Sequence, residues 1–311
     1  MKKIDSHVHI YKQICGYGGR GELLTAGGGK AIWANGDTHY LIPEGMGESS
    51  FEADRLLNLM NENQVEKAVI LQGNLYGFQN RYIHETVQKY PDRLIGACAV
   101  DPFARHGVEL MEHFLRQGFR IAKFEFSDSC GLMSFHQKFS LNSDRMYPYY
   151  RLLEERQGVL TVDIGAMGMD SYQPEAIQQI SDKFPGLKIV ICHLLAHKKG
   201  EEKILRQELE MLNQKNIWFD LAAVPWNAAD ESYPFWAALD NIKTAKEVIG
   251  YRKMLWGSDA PAVILRDSYK ELYQYLEESQ IFTEAEKESI FYKNAQEVYF
   301  NGGNIKAGNG C

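Results

Sequence analysis

Two histidines one residue apart, His7 and His9 in KIDSHVHI, are the first residues in the chain whose spacing could do chemistry. In an extended strand successive side chains point to opposite faces, so both imidazoles share a face and can grip one metal ion. Two ligands do not complete a site, because zinc takes about four; the alternative is a surface strand that happens to carry two polar residues. Further candidates follow at intervals: Lys123 and Glu125 in RIAKFEF, Asp163 in GVLTVDIG, His193 in LKIVICH and Asp259 in KMLWGSD. Each lies at the end of a short apolar run. A charge at a buried strand end is costly unless it is paired or binds metal, so these ends together point to one polar cluster. For Lys123 the competing reading is an ion pair with Glu125 or Asp163; for His193 it is a hydrogen-bonded core histidine.

The elements that must carry these residues are legible as alternating patterns. Apolar runs at 67–72, 93–100, 120–126, 158–165, 187–193, 216–222 and 253–259 join KIDSHVHI to make eight. Their near-continuous apolar character is that of strands buried on both faces. Between them FEADRLLNLMNEN, SDRMYPYYRLLEERQ, QPEAIQQISDKF and KILRQELEMLNQK keep a helical period, with Leu56, Leu57 and Met60 on one stripe of the first. Ser49 or Ser50, Ser143 and Thr283 mark helix starts, the last with Glu286 as a capping box. Eight strands alternating with helices predict an α/β fold with parallel pairing, a (β/α)8 TIM barrel. An open doubly wound sheet would call for a glycine-rich phosphate loop before a helix, and CGYGGRGELLTAGGGK has no clear helix behind it.

Residues 11–50 are too long for an ordinary connection. Following the first strand, they are expected to lie over the C-terminal mouth of the barrel as a lid or substrate-recognition loop, with Arg20, Lys30, Trp33 and His39 as candidate contacts. Residues 1–300 read as one domain and 301–311 as a flexible tail.

Composition narrows the function classes. At 311 residues and 45% hydrophobic the chain can bury a large core, and its formal charge of -7 argues against a nucleic-acid partner. No apolar run suits a signal peptide or a bilayer span, which predicts a cytoplasmic protein without a membrane partner. Cys15, Cys98, Cys130, Cys192 and Cys311 are odd in number and scattered, arguing against disulfides and a thiolate zinc site. Cys98 and Cys192 read as core; Cys15 and Cys130 lie in loop-like sequence and could line a site, with no role as the favoured reading.

Taken together, IDSHVHI, VEKAVILQG, YPDRLIGACAVDP, FPGLKIVICHLL, LWGSDAP and TEAEKESIFYKNAQEVY resemble the amidohydrolase-related family (amidohydrolase 2 type). Its branch includes aminocarboxymuconate-semialdehyde decarboxylase, resorcylate-type decarboxylases and lactonases. The resemblance runs from residue 4 to about 300, apart from the insertion. It implies one divalent ion, zinc first and manganese second, held by His7, His9 and Asp259, with His193 near the substrate as base or extra ligand. The fifth strand departs from the pattern: Asp163 stands where the family usually has histidine, and as a ligand it would make the site harder and more anionic. Leu195 stands where glycine is frequent, and His197 is expected on the following helix without a role. Lys123 matches a family lysine and, with Arg81 and Arg20, is a candidate cation for an anionic substrate.

The implied activity is hydrolysis of a small carboxylated lactone or similar ester or amide, with Asp259 as both ligand and base and His193 stabilising an oxyanion or relaying a proton. A non-oxidative decarboxylase on the same site is the second reading; a metal-free lactonase or a catalytically inactive binding protein is the third. A homodimer is the expected assembly.

Overall fold

Runs that are apolar on both faces must be covered on both faces, and the computed structural model, which describes residues 1–301, covers them in one eight-stranded parallel sheet. In chain order the strands are β1 (Lys3–Val8), an inserted set β2 (Cys15–Gly18), β3 (Gly21–Gly27), β4 (Lys30–Trp33) and β5 (Thr38–Tyr40), then β6 (Val65–Ile70), β7 (Leu94–Cys98), β8 (Ile121–Glu125), β9 (Val159–Asp163), β10 (Lys188–Ile191), β11 (Ile217–Asp220) and β12 (Met254–Leu255). The barrel sheet runs β1, β6, β7, β8, β9, β10, β11, β12. Its two ends meet: Ser6 N donates to Trp256 O at 3.0 Å, Asp259 N to His7 O at 2.8 Å and His9 N to Ala260 O at 2.9 Å. Buried Asp5 braces the same seam, accepting from Ser258 N at 2.8 Å, His7 N at 3.2 Å and the Tyr269 hydroxyl at 2.6 Å. Eight parallel strands with helices between them therefore form a nearly closed (β/α)8 barrel. The tail beyond Asn301 lies outside the described residues.

The two-residue repeat of a strand decides what each one offers the barrel interior. On β8 Ile121, Lys123 and Glu125 share a face, and in register beside them on β9 stand Val159, Thr161 and Asp163. Ile121 and Val159 pack with Ile4, Val69, Ala97, Val190 and Leu255, plugged by Val298 and Tyr299 from the C-terminal segment. The interior thus passes from apolar at one end to ionisable at the other. The alternate residues, Ala122, Phe124, Leu160 and Val162, join the larger core that packs on the helices.

The helices α1 (Ala53–Glu62), α2 (Asn80–Lys89), α3 (Gly107–Arg116), α4 (Tyr147–Glu155), α5 (Pro174–Lys183), α6 (Glu202–Met211), α7 (Val224–Ala228) and α8 (Trp236–Ile249) alternate with the strands. Thr283 and Glu286 form the expected capping box. The serines do not cap: α1 starts after Glu52 and α4 after Met146, neither with a side-chain cap. No helix of the described residues is long and apolar enough to cross a membrane.

Residues 11–50 are not a loop but an antiparallel meander of β2 to β5. One face supplies Leu23, Ala31 and Trp33 to the main core, whereas Tyr17, Leu24, Ile32 and Tyr40 face out. Its first strand is seated on the loop after β6, Cys15 N donating to Tyr76 O at 3.1 Å and Tyr17 N to Asn74 O at 3.2 Å. Only glycine fits at position 16, since a Cβ there would come within 2.2 Å of Leu75 O.

Candidate metal centre and active site

The ionisable strand ends converge at the C-terminal mouth. His7, on β1, is fully buried; its Nδ1 lies 3.0 Å from Asp220 Oδ2 at the end of β11. His9, just past β1, sets Nδ1 3.1 Å from Leu71 O. A carbonyl only accepts, so His9 carries its hydrogen on Nδ1, and Asp220 assigns the same tautomer to His7. Both Nε2 atoms then present lone pairs, yet both face the same carboxylate oxygen: Asp259 Oδ1 is 2.9 Å from His9 Nε2 and 3.3 Å from His7 Nε2. Two lone pairs and an anion turned on one point fit a cation between them. The oriented Nδ1–H groups are those of metal-binding histidines. Burial and neighbouring Lys123 also hold the His7 pKa well below its ordinary value, which keeps it in the neutral, ligating form. Asp259 is favoured as an anion: burial works against its charge, but His7, His9 and His193 bring its pKa down to about 2.

Two groups of three donors lie within 4.8 Å among the described residues: His7, His9 and Asp259, and His7, Cys192 and His193. Asp163 belongs to neither. Its Oδ1 accepts from Gly165 N at 2.8 Å, and Oδ2 faces His193 Nε2 at 3.5 Å. Burial opposes the Asp163 charge, but the hydrogen bond and charge of His193, then Lys123, hold its carboxyl well below the usual range. In this geometry the carboxylate at the fifth barrel strand faces His193 and lies outside the cluster of His7, His9 and Asp259.

His193 reaches the mouth by an unusual path. Residues His193, Leu194, Leu195 and Ala196 all have positive φ, 61°, 49°, 67° and 52°, a conformation that costs a non-glycine residue roughly 1–2 kcal/mol. Strain of this kind concentrates at functional sites. The turn points His193 Nδ1 at Ala222 O, 2.9 Å away, and Nε2 toward Asp163. Burial would lower its pKa, but Asp163, then Asp259 and Asp220, raise it to about 10, so His193 is held as a doubly donating imidazolium. His197 lies just past this turn, buried, before α6 begins.

Lys123 is buried, with Nζ 3.4 Å from His7 Nε2. Burial opposes its charge, but Cys192, Asp163, Glu125 and Asp259 keep its pKa above the ordinary lysine value. Glu125 accepts from Asn74 N at 2.8 Å and from the Cys130 thiol at 3.0 Å, and burial and Asp163 raise its pKa. A cavity of about 250 Å³ opens above these groups, lined by Glu125, Asp163, Asp259 and His193, with Ser127, Ser129, Cys130, Asn227, Met169 and Trp226 among the walls. No lysine or arginine is among the described residues that line it.

The other expected contacts lie elsewhere. Arg81 is an exposed α2 residue paired with Glu85 at 2.9 Å. Arg20 is engaged within the meander by Asp37 at 3.4 Å, His39 at 3.1 Å and the Trp33 ring at 4.5 Å. Trp33, at 1% exposure, is core, and Lys30 lies over the Tyr40 ring. The residue missed from sequence is Asp220, which orients His7 from 213 positions away; Cys130, a possible lining residue from its sequence, lines the mouth. Asp220 ends the run NIWFDLA and had the same strand-end signal as Asp163.

A family model described as amidohydrolase matches residues 4–300. No curated protein matches the chain significantly. Among solved structures the chain is similar to a probable 2-pyrone-4,6-dicarboxylic acid hydrolase from Acinetobacter baumannii, with 19% identity, TM-score 0.69 and coverage of 96% of this chain and 99% of that one. It is also similar to a zinc-bound amidohydrolase from Burkholderia multivorans, with 15% identity, TM-score 0.70 and coverage of 96% and 99%. A third is the 5-carboxyvanillate decarboxylase from Sphingomonas paucimobilis, with 15% identity, TM-score 0.55 and coverage of 78% and 81%. At these identities the structures speak for the fold, and the match along nearly the whole sequence for the lineage: the chain belongs to the amidohydrolase family.

Proposed function

We propose that the chain is a metal-dependent hydrolase that opens a small ester or lactone. The observation that carries this reading is the convergence of His7 Nε2, His9 Nε2 and Asp259 Oδ1, with both Nδ1 atoms already committed to acceptors. A divalent ion held by these three residues, zinc in first place and manganese in second, would polarise the scissile carbonyl and bring the pKa of an attacking water toward ~7.

The protein's own groups divide the proton work. Asp259, favoured as an anion, accepts the proton of the attacking water. His193 has donors on both ring nitrogens and faces the cavity, so it stabilises negative charge on the substrate oxygen and then protonates the leaving oxygen as the carbon–oxygen bond breaks. Asp163 stabilises the imidazolium and restrains its ring. Lys123, beneath the cavity lining, balances the buried carboxylates around it.

The charges around the cavity are mixed, so the carboxylated substrate expected from the sequence and its neutral counterpart are the two forms to compare. Glu125, Asp163 and Asp259 line it and the expected cations Lys123, Arg81 and Arg20 do not, but the His193 imidazolium does. A substrate carboxylate placed about 4 Å from His193 would gain an attraction on the order of 4 kcal/mol at the effective dielectric of a protein surface, and one placed as close to an acid would meet an equal repulsion. The test is a panel of neutral lactones and esters beside their carboxylated analogues, assayed with zinc- or manganese-loaded protein by acid release, with carbon dioxide trapped in parallel. Ring opening of a lactone of either kind, reduced about 100-fold or more in Asp259→Asn, supports the proposal. Carbon dioxide release from a carboxylated aromatic would replace it with the decarboxylase reading.

A further inference from the structure

The turn that presents His193 is held at both ends, and the grip at its far end lies outside the mouth. At its entry, His193 N donates to Asp220 Oδ1 at 2.8 Å, and its ring Nδ1 to Ala222 O at 2.9 Å. Through Ala196 the backbone stays left-handed, with Leu194 and Leu195 fully buried in place of the glycines such a path favours. At the exit, His197 returns at once to extended backbone, φ −68° and ψ 140°.

His197 is buried, and both its ring nitrogens and its carbonyl are taken. Nδ1 is 3.2 Å from Glu201 Oε2 and Nε2 is 2.7 Å from Glu208 Oε2. The Tyr172 hydroxyl donates to the same Glu208 oxygen at 2.5 Å and lies 2.9 Å from Nε2. Asn241 Nδ2, on α8, donates to the His197 carbonyl at 2.9 Å. One residue is therefore tied to the loop after β9, to the start and body of α6, and to α8. None of these groups lines the cavity. Tyr172 belongs to the loop that supplies Ala166 and Met169 to the cavity wall.

A left-handed path through four side-chain-bearing residues persists only where its surroundings over-determine it. We infer that His197 is a positioning residue: gripped by Glu201, Glu208, Tyr172 and Asn241, it fixes the exit of the turn and thereby the aim of the His193 ring. The inference concerns geometry alone and holds whichever reaction the mouth carries out.

Long-range proton–nitrogen NMR of the full chain reads the His193 ring directly, with its signals assigned by their loss in His193→Gln. In the wild type, the His193 Nδ1–H, bonded to the Ala222 carbonyl, gives one slowly exchanging signal. In folded His197→Ala that signal is lost to solvent exchange or split into several, while the His9 Nδ1–H signal, bonded to Leu71 O, is unchanged. His197→Gln, whose amide still donates to Glu208, restores it. A purely structural His197 would lower the melting temperature and leave the His193 signal of the folded protein as in the wild type, which overturns the inference. Should His197→Ala not fold, Tyr172→Phe and Asn241→Ala give the same reading, and an unperturbed His193 in both also overturns it.

Discussion

Asp5 offers a pH-dependent test of how the barrel seam is built. Its carboxyl is completely buried, and burial raises its pKa from an ordinary 3.8 to about 6, although Ser258, Tyr269 and the His7 N–H all donate to it. A folded pKa above the unfolded one means that the native chain binds the extra proton between those values. The stability Asp5 contributes is therefore fully present below about pH 4 and is lost as pH rises through 6. At about 1.4 kcal/mol per pH unit, the difference amounts to about 3 kcal/mol by pH 7. Asn in place of Asp keeps an acceptor for Ser258 N and His7 N but cannot ionise. Urea unfolding of wild type and Asp5→Asn, followed by tryptophan fluorescence from pH 4 to 8, isolates the effect, because the other titrating groups cancel in the difference. The Asn variant should gain on the wild type by about 3 kcal/mol between pH 4 and 7 and then level off. A difference that is flat across this range, or that changes in the opposite sense, refutes the reasoning.

Two other substitutions test the support of the metal ligands. Asp220→Asn leaves the His7 ring without its carboxylate partner and should weaken zinc affinity about 10- to 100-fold in a chelator competition, with the fold retained. An unchanged affinity would remove Asp220 from the account. Gly257→Ala would place a Cβ 2.9 Å from His7 Cβ and 3.0 Å from His7 N, forcing β1 away from the seam. It should cost about 1–3 kcal/mol in urea unfolding and weaken zinc binding as well; a variant with wild-type values for both would show that the seam is looser than the structure has it.

What the sequence disclosed, and what it hid, follows from where the determining contacts lie. His7, His9, His193 and Asp259 were visible because each ends an apolar run, and in a barrel the strand ends share one face. Asp163 carried the same signal, but its role did not: only the structure places its oxygen toward His193 and apart from the Nε2 atoms of His7 and His9. Asp220 carries the same strand-end signal in NIWFDLA, but its partner, the His7 ring, is 213 positions away, so its role is not local. The meander was read as a loop because its outer face carries Leu24 and Ile32, opposite each other across β3 and β4, which erases the apolar–polar alternation of a half-buried strand. His197 looked idle because its partners come from a separate loop and two helices.

The central claim, that His7, His9 and Asp259 hold one divalent ion, is tested most directly by metal content. Wild type, Asp259→Asn and Asp163→Asn would each be loaded with zinc, freed of excess by gel filtration and measured by plasma mass spectrometry. The account predicts about one equivalent per chain in the wild type and in Asp163→Asn, and little in Asp259→Asn. Folded wild-type protein that retains no zinc, or Asp259→Asn that retains as much as the wild type, would contradict it.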